Sequence, residues 1–177
     1  MDMFARAKQI EESGFHVCHM EAGLPSTGAP QKVIQAATAI LQDDKLGYTN
    51  ALGVKELRET IAENYFHKYG VQVSSSRIVI TTGSSAAFML AFLGCFDPND
   101  CVGLASAGYP CYRNIMMATN LNYVSIPVNQ EYKVTARELL RIIQERKDNS
   151  LPPLRGLIMS SPSNPTGAML SPEGSYF

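Results

Sequence analysis

Apolar residues recur along this chain with two periods, three to four residues in some stretches and two or fewer in others, and their alternation sets the predicted elements. Residues 2–13 have the spacing of a short amphipathic helix, and His16 to Met20 reads as a short strand entering the loop Glu21-Ala-Gly-Leu-Pro-Ser-Thr-Gly28. Pro30 opens a helix where its missing N–H costs nothing, with Val33, Ala37, Ile40 and Leu41 as the apolar stripe and Gly47-Tyr48 closing the segment. Val54, Leu57, Ile61, Tyr65 and Tyr69 predict a helix over 53–69, which Gly70 stops.

From there the pattern becomes strand, helix, strand, helix. Arg77 to Thr81 is β-branched and apolar and predicts a strand, and Ser84 to Phe96 a helix. Val102 to Ala105 predicts a strand, Tyr112 to Thr119 a helix, and Tyr123 to Ile126 a strand. The capping box Thr135-Ala-Arg-Glu138 begins a further helix, and Leu154 to Met159 is a last strand. Such alternation predicts an α/β fold with a mostly parallel sheet and crossover helices. Ser171-Pro172-Glu173 announces one more helix that the 177 residues do not complete, so a truncated chain is expected.

Composition narrows the partners. The 177 residues suffice for one core of ordinary size. Lysine and arginine number 15 against 16 acids, a net charge of −1, so no basic field favours nucleic acid or an anionic membrane. The longest apolar run, Ala86 to Phe96, has 11 residues and reads as a buried helix, since a membrane span needs about 20. The amino terminus has no apolar signal core, so a cytoplasmic protein is the expectation. The cysteines at 18, 95, 101 and 111 lack C-x-x-C spacing and sit in or beside apolar segments, as reduced buried cysteines do. On a strand, His16 and Cys18 share one face and His19 takes the other, too few ligands to close a metal site, and none is assigned.

Three segments at strand ends carry candidate chemistry. In Ile78-Val-Ile-Thr-Thr-Gly83-Ser84-Ser85 a glycine turn leads into two serines at a helix start, where free N–H groups and the helix dipole favour an anion. The same serines also read as an ordinary N-cap, and without a lysine the loop is not a Walker A motif. Tyr109, in Ala107-Gly-Tyr-Pro-Cys-Tyr112, offers a ring for stacking on a heteroaromatic group or for closing over the core. Ser160 to Gly167, "SSPSNPTG", follows the last strand; Asn164-Pro165 starts a turn and Gly167 accepts positive φ. An ordinary β-turn explains that loop alone, but three such loops on one edge of a parallel sheet point to a ligand site.

In five ordered blocks, "EAGLPSTGAP", "LGYTNALGVKELRETIAENY", "IVITTGSSAAFMLAF", "ASAGYPCYRN" and "SSPSNPTGA", the chain resembles the class I and II aminotransferases, pyridoxal 5′-phosphate enzymes of fold type I. The resemblance implies an amino-terminal arm and small-domain segment over 1–49 and part of the cofactor-binding large domain over 50–177. It implies that Gly83, Ser84 and Ser85 hold the cofactor phosphate, that Tyr109 stacks on the pyridine ring, and that Asn164 bonds the phenolic oxygen. Tyr48 would reach the cofactor phosphate of a partner subunit in a homodimer, and Gly23 would let the backbone approach the substrate carboxylate. The Asn164–Pro165 peptide is expected to be cis.

The family's Schiff-base lysine lies downstream of the N-P-x-G loop, as does the arginine that holds the substrate carboxylate. The lysines here, at 8, 32, 45, 55, 68, 133 and 147, all precede that loop, and none has Ser or Thr three positions before it. No catalytic lysine is assigned. The expected activity is amino-group transfer between an amino acid and a 2-oxo acid by the complete protein, with this chain inactive alone. Two alternatives stand beside it: a lyase or decarboxylase of the same fold type, and a non-catalytic short chain that associates with a full-length subunit.

Overall fold

The computed structural model describes residues 2–20, 23, 25–43 and 46–171. The chain divides into two compact units, residues 1–48 and 49–177. In the first, α1 (Asp2–Glu12) is followed by an extended segment that turns back along it, with His19 Nε2 lying 2.9 Å from Glu11 Oε1 and the Phe4 and His19 rings 6.2 Å apart. The strand predicted over residues 16–20 does not form: they lie beside a helix, and no strand among the described residues pairs with them to close a ladder. The shared face of His16 and Cys18 goes with the strand, and Cys18 is exposed. After Pro30 comes α2 (Gln31–Asp43), whose predicted stripe forms on schedule, yet Val33, Ile34, Ile40 and Leu41 all remain exposed.

In the second unit α3 (Lys55–Tyr69) ends at Gly70, which turns left-handed at φ 67°. No residue of α3 is buried, so its periodicity marks a face that this unit does not cover. Arg58 Nη1 donates to Ser75 O at 3.1 Å and ties α3 to a 3₁₀ turn, Ser75–Arg77. The strand predicted over Arg77 to Thr81 does not form. Arg77 belongs to that turn, and residues 78–81 join no ladder of the sheet, with Ile80 N–H donating instead to Leu52 O at 3.0 Å. Apolar β-branched residues favour extension, but a strand also needs a neighbour.

The remaining elements match the predicted alternation: α4 (Gly83–Cys95), β1 (Cys101–Ala105), α5 (Pro110–Ala118), β2 (Asn122–Ile126), α6 (Ala136–Asp148) and β3 (Leu154–Ile158). The strands form one parallel sheet in the order β2-β1-β3. Between Cys101↔Leu154 and Val102↔Gly156 the β3 side holds one extra residue, Arg155. At the start of α6 the Thr135 hydroxyl accepts from Glu138 N–H at 3.2 Å, while the Glu138 carboxylate turns forward to Arg141 Nε at 3.0 Å, so only half of the predicted capping box closes.

The core lies between the sheet, α4 and α5, and consists of Phe92, Val102, Leu104, Ile115, Met116 and Leu121. Two glycines let the layers close. A Cβ at Gly103 would meet Leu157 Cδ1 at 2.9 Å, and one at Gly156 would meet Phe96 Cζ at 2.6 Å. The expected burial of α4 holds on one side only: Phe92 is its single buried residue, and Met89, Leu90 and Leu93 face outward. Cys95, on its last turn, is exposed for the same reason, whereas Cys101 is buried and Cys111 half-buried; all four cysteines are free. No described helix is long and apolar enough to cross a membrane. The helix expected after Ser171 lies outside the described residues, as do Glu21, Ala22 and Leu24 of the first loop.

Candidate functional site

Parallel strands direct all their carboxyl ends to one edge, so the chain after β1 and the chain after β3 leave the sheet side by side. After β1, Ser106 N–H bonds Ile126 O at 2.8 Å, and the chain reaches Tyr109 at the N-cap position of α5, where Pro110 occupies the first turn. Tyr109 is 42% exposed, and its ring stands edge-on to Tyr112, with centroids 5.6 Å apart and planes at 87°. Tyr112 in turn meets Phe88 of α4 at 4.6 Å, and Phe88 meets Phe92 at 5.9 Å. A row of rings thus braces Tyr109 from the core outward, leaving one of its sides open.

After β3, the loop 160–170 is tied to itself. Gly167 N–H donates to Ser163 O at 2.7 Å and Ser163 N–H to Ala168 O at 2.8 Å, with Gly167 at φ 71°. Leu170 N–H bonds the Ser161 hydroxyl at 3.0 Å, and the Ser161–Pro162 and Asn164–Pro165 peptides are both cis, the second as expected. With its backbone held in this way, the loop presents Asn164 at an exposed position, its amide free of hydrogen bonds among the described residues.

Tyr109 and Asn164 line one cavity of about 280 Å³ at this sheet edge, together with Ser106, Ser125, Ser160 and Ser163. Gly83, Ser84 and Ser85 lie outside its lining but beside it. The Ser85 hydroxyl is 3.4 Å from Cys111 Sγ, two residues beyond Tyr109, which links the first turns of α4 and α5. Gly83 sits at φ 80°, the Thr82 side chain caps nothing, and Ser84 and Ser85 are exposed. An uncapped helix start with two hydroxyls presents donors to an anion. Tyr48 and Gly23 belong to the other unit, where both are exposed.

Among the lining residues not singled out in the sequence are Arg113, Tyr123, Tyr132 and Lys133. Arg113 stands one helical turn beyond Tyr109, and Tyr123 shares a face of β2 with Ser125, spacings that periodicity does carry. Tyr132 and Lys133 come from a turn built on Asn129, whose side-chain oxygen accepts from the N–H groups of Glu131 (2.9 Å) and Lys133 (3.0 Å). Lys133 Nζ donates to Glu131 Oε2 at 2.7 Å; that hydrogen bond, aided by the ammonium charge, holds the Glu131 carboxyl below its ordinary range.

A profile of the family "Aminotransferase class I and II" matches residues 16–174. The chain is 44% identical over 175 residues to a valine–pyruvate aminotransferase of Mycobacterium tuberculosis, covering 98% of this chain and 43% of that protein. To an aspartate aminotransferase of Thermotoga maritima it is 27% identical over 175 residues, 98% of this chain and 45% of that one. Among solved structures, an aminotransferase from Mycobacterium tuberculosis superposes with a TM-score of 0.87 at 44% identity, over 98% of this chain and 43% of that chain. An aspartate aminotransferase from Rhizobium meliloti superposes at 0.85 with 27% identity, over 98% and 42%. The chain therefore spans less than half the length of the relatives it matches, while almost all of it is matched. With the parallel sheet and the loops at its carboxyl edge, these likenesses establish that the chain belongs to the class I and II aminotransferases.

Proposed function

We propose that this chain is the cofactor-cradling part of a pyridoxal phosphate-dependent aminotransferase that moves an amino group between an amino acid and a 2-oxo acid. The observation that carries the reading is the meeting of Tyr109 and Asn164 in one cavity, with the uncapped start of α4 one contact away through Ser85 and Cys111. This donor set suits a phosphorylated pyridine. Amide N–H groups and the hydroxyls of Ser84 and Ser85 match a phosphate, the open side of Tyr109 matches a flat ring, and the free Asn164 amide matches a phenolic oxygen. When bound, pyridoxal phosphate supplies the electron sink that stabilises charge left at the substrate α-carbon. The residues here anchor, orient and flank it; they do not move the α-proton.

On this reading residues 1–49 are the arm and small-domain segment, and 50–177 part of the large domain. Tyr48 serves the partner subunit's phosphate in a cytoplasmic homodimer, and Gly23 lies against the substrate carboxylate. The exposure of Tyr48 and of the apolar face of α2 supports a role for the first unit at an interface. That exposure also favours a second reading, in which the short chain associates with a full-length subunit and does not turn over.

The 177 residues alone do not catalyse transamination on either reading. Lys133 is the cavity's one lysine among the described residues, and Glu131 engages it. The test is to titrate the purified chain with pyridoxal phosphate, reduce with borohydride and digest for mass spectrometry. Saturable binding without a specific lysine adduct is the expected result. A stoichiometric adduct on one lysine, with amino-acid-dependent conversion to the pyridoxamine form, would overturn the inactivity, and the absence of any saturable binding would overturn the cofactor reading.

A further inference from the structure

We propose that Cys111 is a positioning residue of the cofactor cradle: its thiol donates to the Ser85 hydroxyl and so aims that hydroxyl's own proton at the cofactor phosphate. The role rests on the cofactor reading above and adds to it a residue that touches no part of the cofactor itself. Ser85 is the third residue of α4 and is exposed, whereas Cys111 is the second residue of α5, half-buried and packed against the core. Their side chains meet across 26 residues of sequence, Oγ to Sγ 3.4 Å, in a geometry that lets either atom donate. One exposed group is thus tied to one that the core holds still. Among the described residues the Ser85 hydroxyl has no other hydrogen-bond partner, and the neighbouring Ser84 hydroxyl has none at all.

Counting protons decides the direction once a phosphate is bound. A phosphate ester at neutral pH offers acceptor oxygens, so a hydroxyl beside it must donate. Ser85 has one O–H proton, and when that proton points at the phosphate its oxygen is left as an acceptor only. The thiol then supplies its S–H. The result is a chain from S–H to O–H to phosphate oxygen, in which each bond polarises the next. Order matters as well as polarity. An exposed serine rotates among staggered rotamers, and binding has to select one of them. Cys111 makes that selection beforehand, because Pro110 fixes the backbone at the start of α5 and the sulfur rests on the core. Ser85 is therefore set in advance and Ser84 is not, so the two hydroxyls of the cradle should respond differently to the loss of the thiol.

The test measures binding of pyridoxine 5′-phosphate to the purified chain by equilibrium dialysis, with pyridoxine as the probe that lacks the phosphate. Neither has an aldehyde to react with surface lysines. Saturable binding of the phosphate ester to the parent is expected. In Cys111→Ala its apparent Kd should rise about three- to fivefold, the loss of one weak hydrogen bond, and Cys111→Ser, which keeps a donor, should recover most of it. In a Ser85→Ala background Cys111→Ala should change the Kd by less than about 1.5-fold, whereas in a Ser84→Ala background its full effect should remain. Pyridoxine should bind the parent and Cys111→Ala alike. Cys111→Ala within about 1.5-fold of the parent overturns the proposal, as does an equal effect with and without Ser85, or a Cys111→Ser no better than Cys111→Ala. A parallel loss of both probes, the mark of disturbed core packing, overturns it too. A parent that shows no saturable binding overturns the cofactor reading and this role together, while a saturable parent with any of the other failures overturns this role alone.

Discussion

Tyr109 combines two properties: its ring is braced by Tyr112, and one side is open to the cavity. Replacing it with alanine should weaken pyridoxal phosphate retention by about 0.5–1.5 kcal/mol, the value of an aromatic pair beyond area burial, as measured by equilibrium dialysis. Replacing Ser84 and Ser85 together with alanine should also weaken retention, because the hydroxyl donors go while the amides stay. Unchanged retention in both variants would remove these residues from the site. At this scale the sequence was informative about loops and silent about walls. Tyr109 and Asn164 stood out because each follows a predicted strand on a loop rich in Gly and Pro. Arg113 and Tyr123 sit inside a regular helix and strand, where periodicity carries their spacing to Tyr109 and Ser125 but not that this face borders a cavity.

Elements were legible where local pattern and local partner coincide. Strands β1, β2 and β3 and helices α3 to α6 fall within a few residues of their predicted bounds, since each carries its own periodicity or cap. Segment 77–81 fails for an equally physical reason: apolar β-branched residues announce extension, and the ladder that would make a strand comes from elsewhere in space. What fixes this segment is Gly53. At φ 93° it passes so close to Ile80 that an added Cβ would lie 2.6 Å from Ile80 Cβ. Gly53→Ala should therefore cost about 1–3 kcal/mol through strain and overlap together, read as a lowered urea midpoint with an unchanged slope. A loss below about 0.5 kcal/mol, the range of an ordinary surface substitution, would show that the two segments separate without consequence.

Across the whole molecule, burial is the least predictable quantity. Periodicity marks an apolar face but not what covers it, and α2, α3 and α4 each keep theirs largely open, with Leu41 65%, Leu57 45% and Leu93 64% exposed. The second unit holds its core on one side of α4 and α5, between those helices and the sheet. Apolar helix faces left open in this way mark interaction faces or aggregation hazards. The purified chain should accordingly bind an apolar dye such as anilinonaphthalene sulfonate at neutral pH and show concentration-dependent light scattering. A dye-silent, monodisperse monomer at all concentrations would show that these faces rearrange in solution. Fold class and the parallel run of β1, β2 and β3 were thus readable from the chain itself, whereas the strand order was not. The division into surface and interior was not, because it depends on neighbours that no periodic signal encodes.

The order β2-β1-β3 also has a consequence in time. β1 is hydrogen-bonded on both sides and lines the core through Val102 and Leu104, whereas β3, among the described residues, is bonded along one side. Amides of β1 should exchange with deuterium only through the largest opening of the unit, and the outward amides of β3 through smaller, more frequent ones. The two loops that meet at the cavity therefore hang from supports of different permanence, Tyr109 from the slow strand and Asn164 from the fast one. Exchange mass spectrometry of peptides over 101–105 and 154–158 measures this directly, and equal protection of the two would cancel the distinction. With unequal protection, the Asn164 loop is the door of the cavity and the Tyr109 loop its fixed jamb.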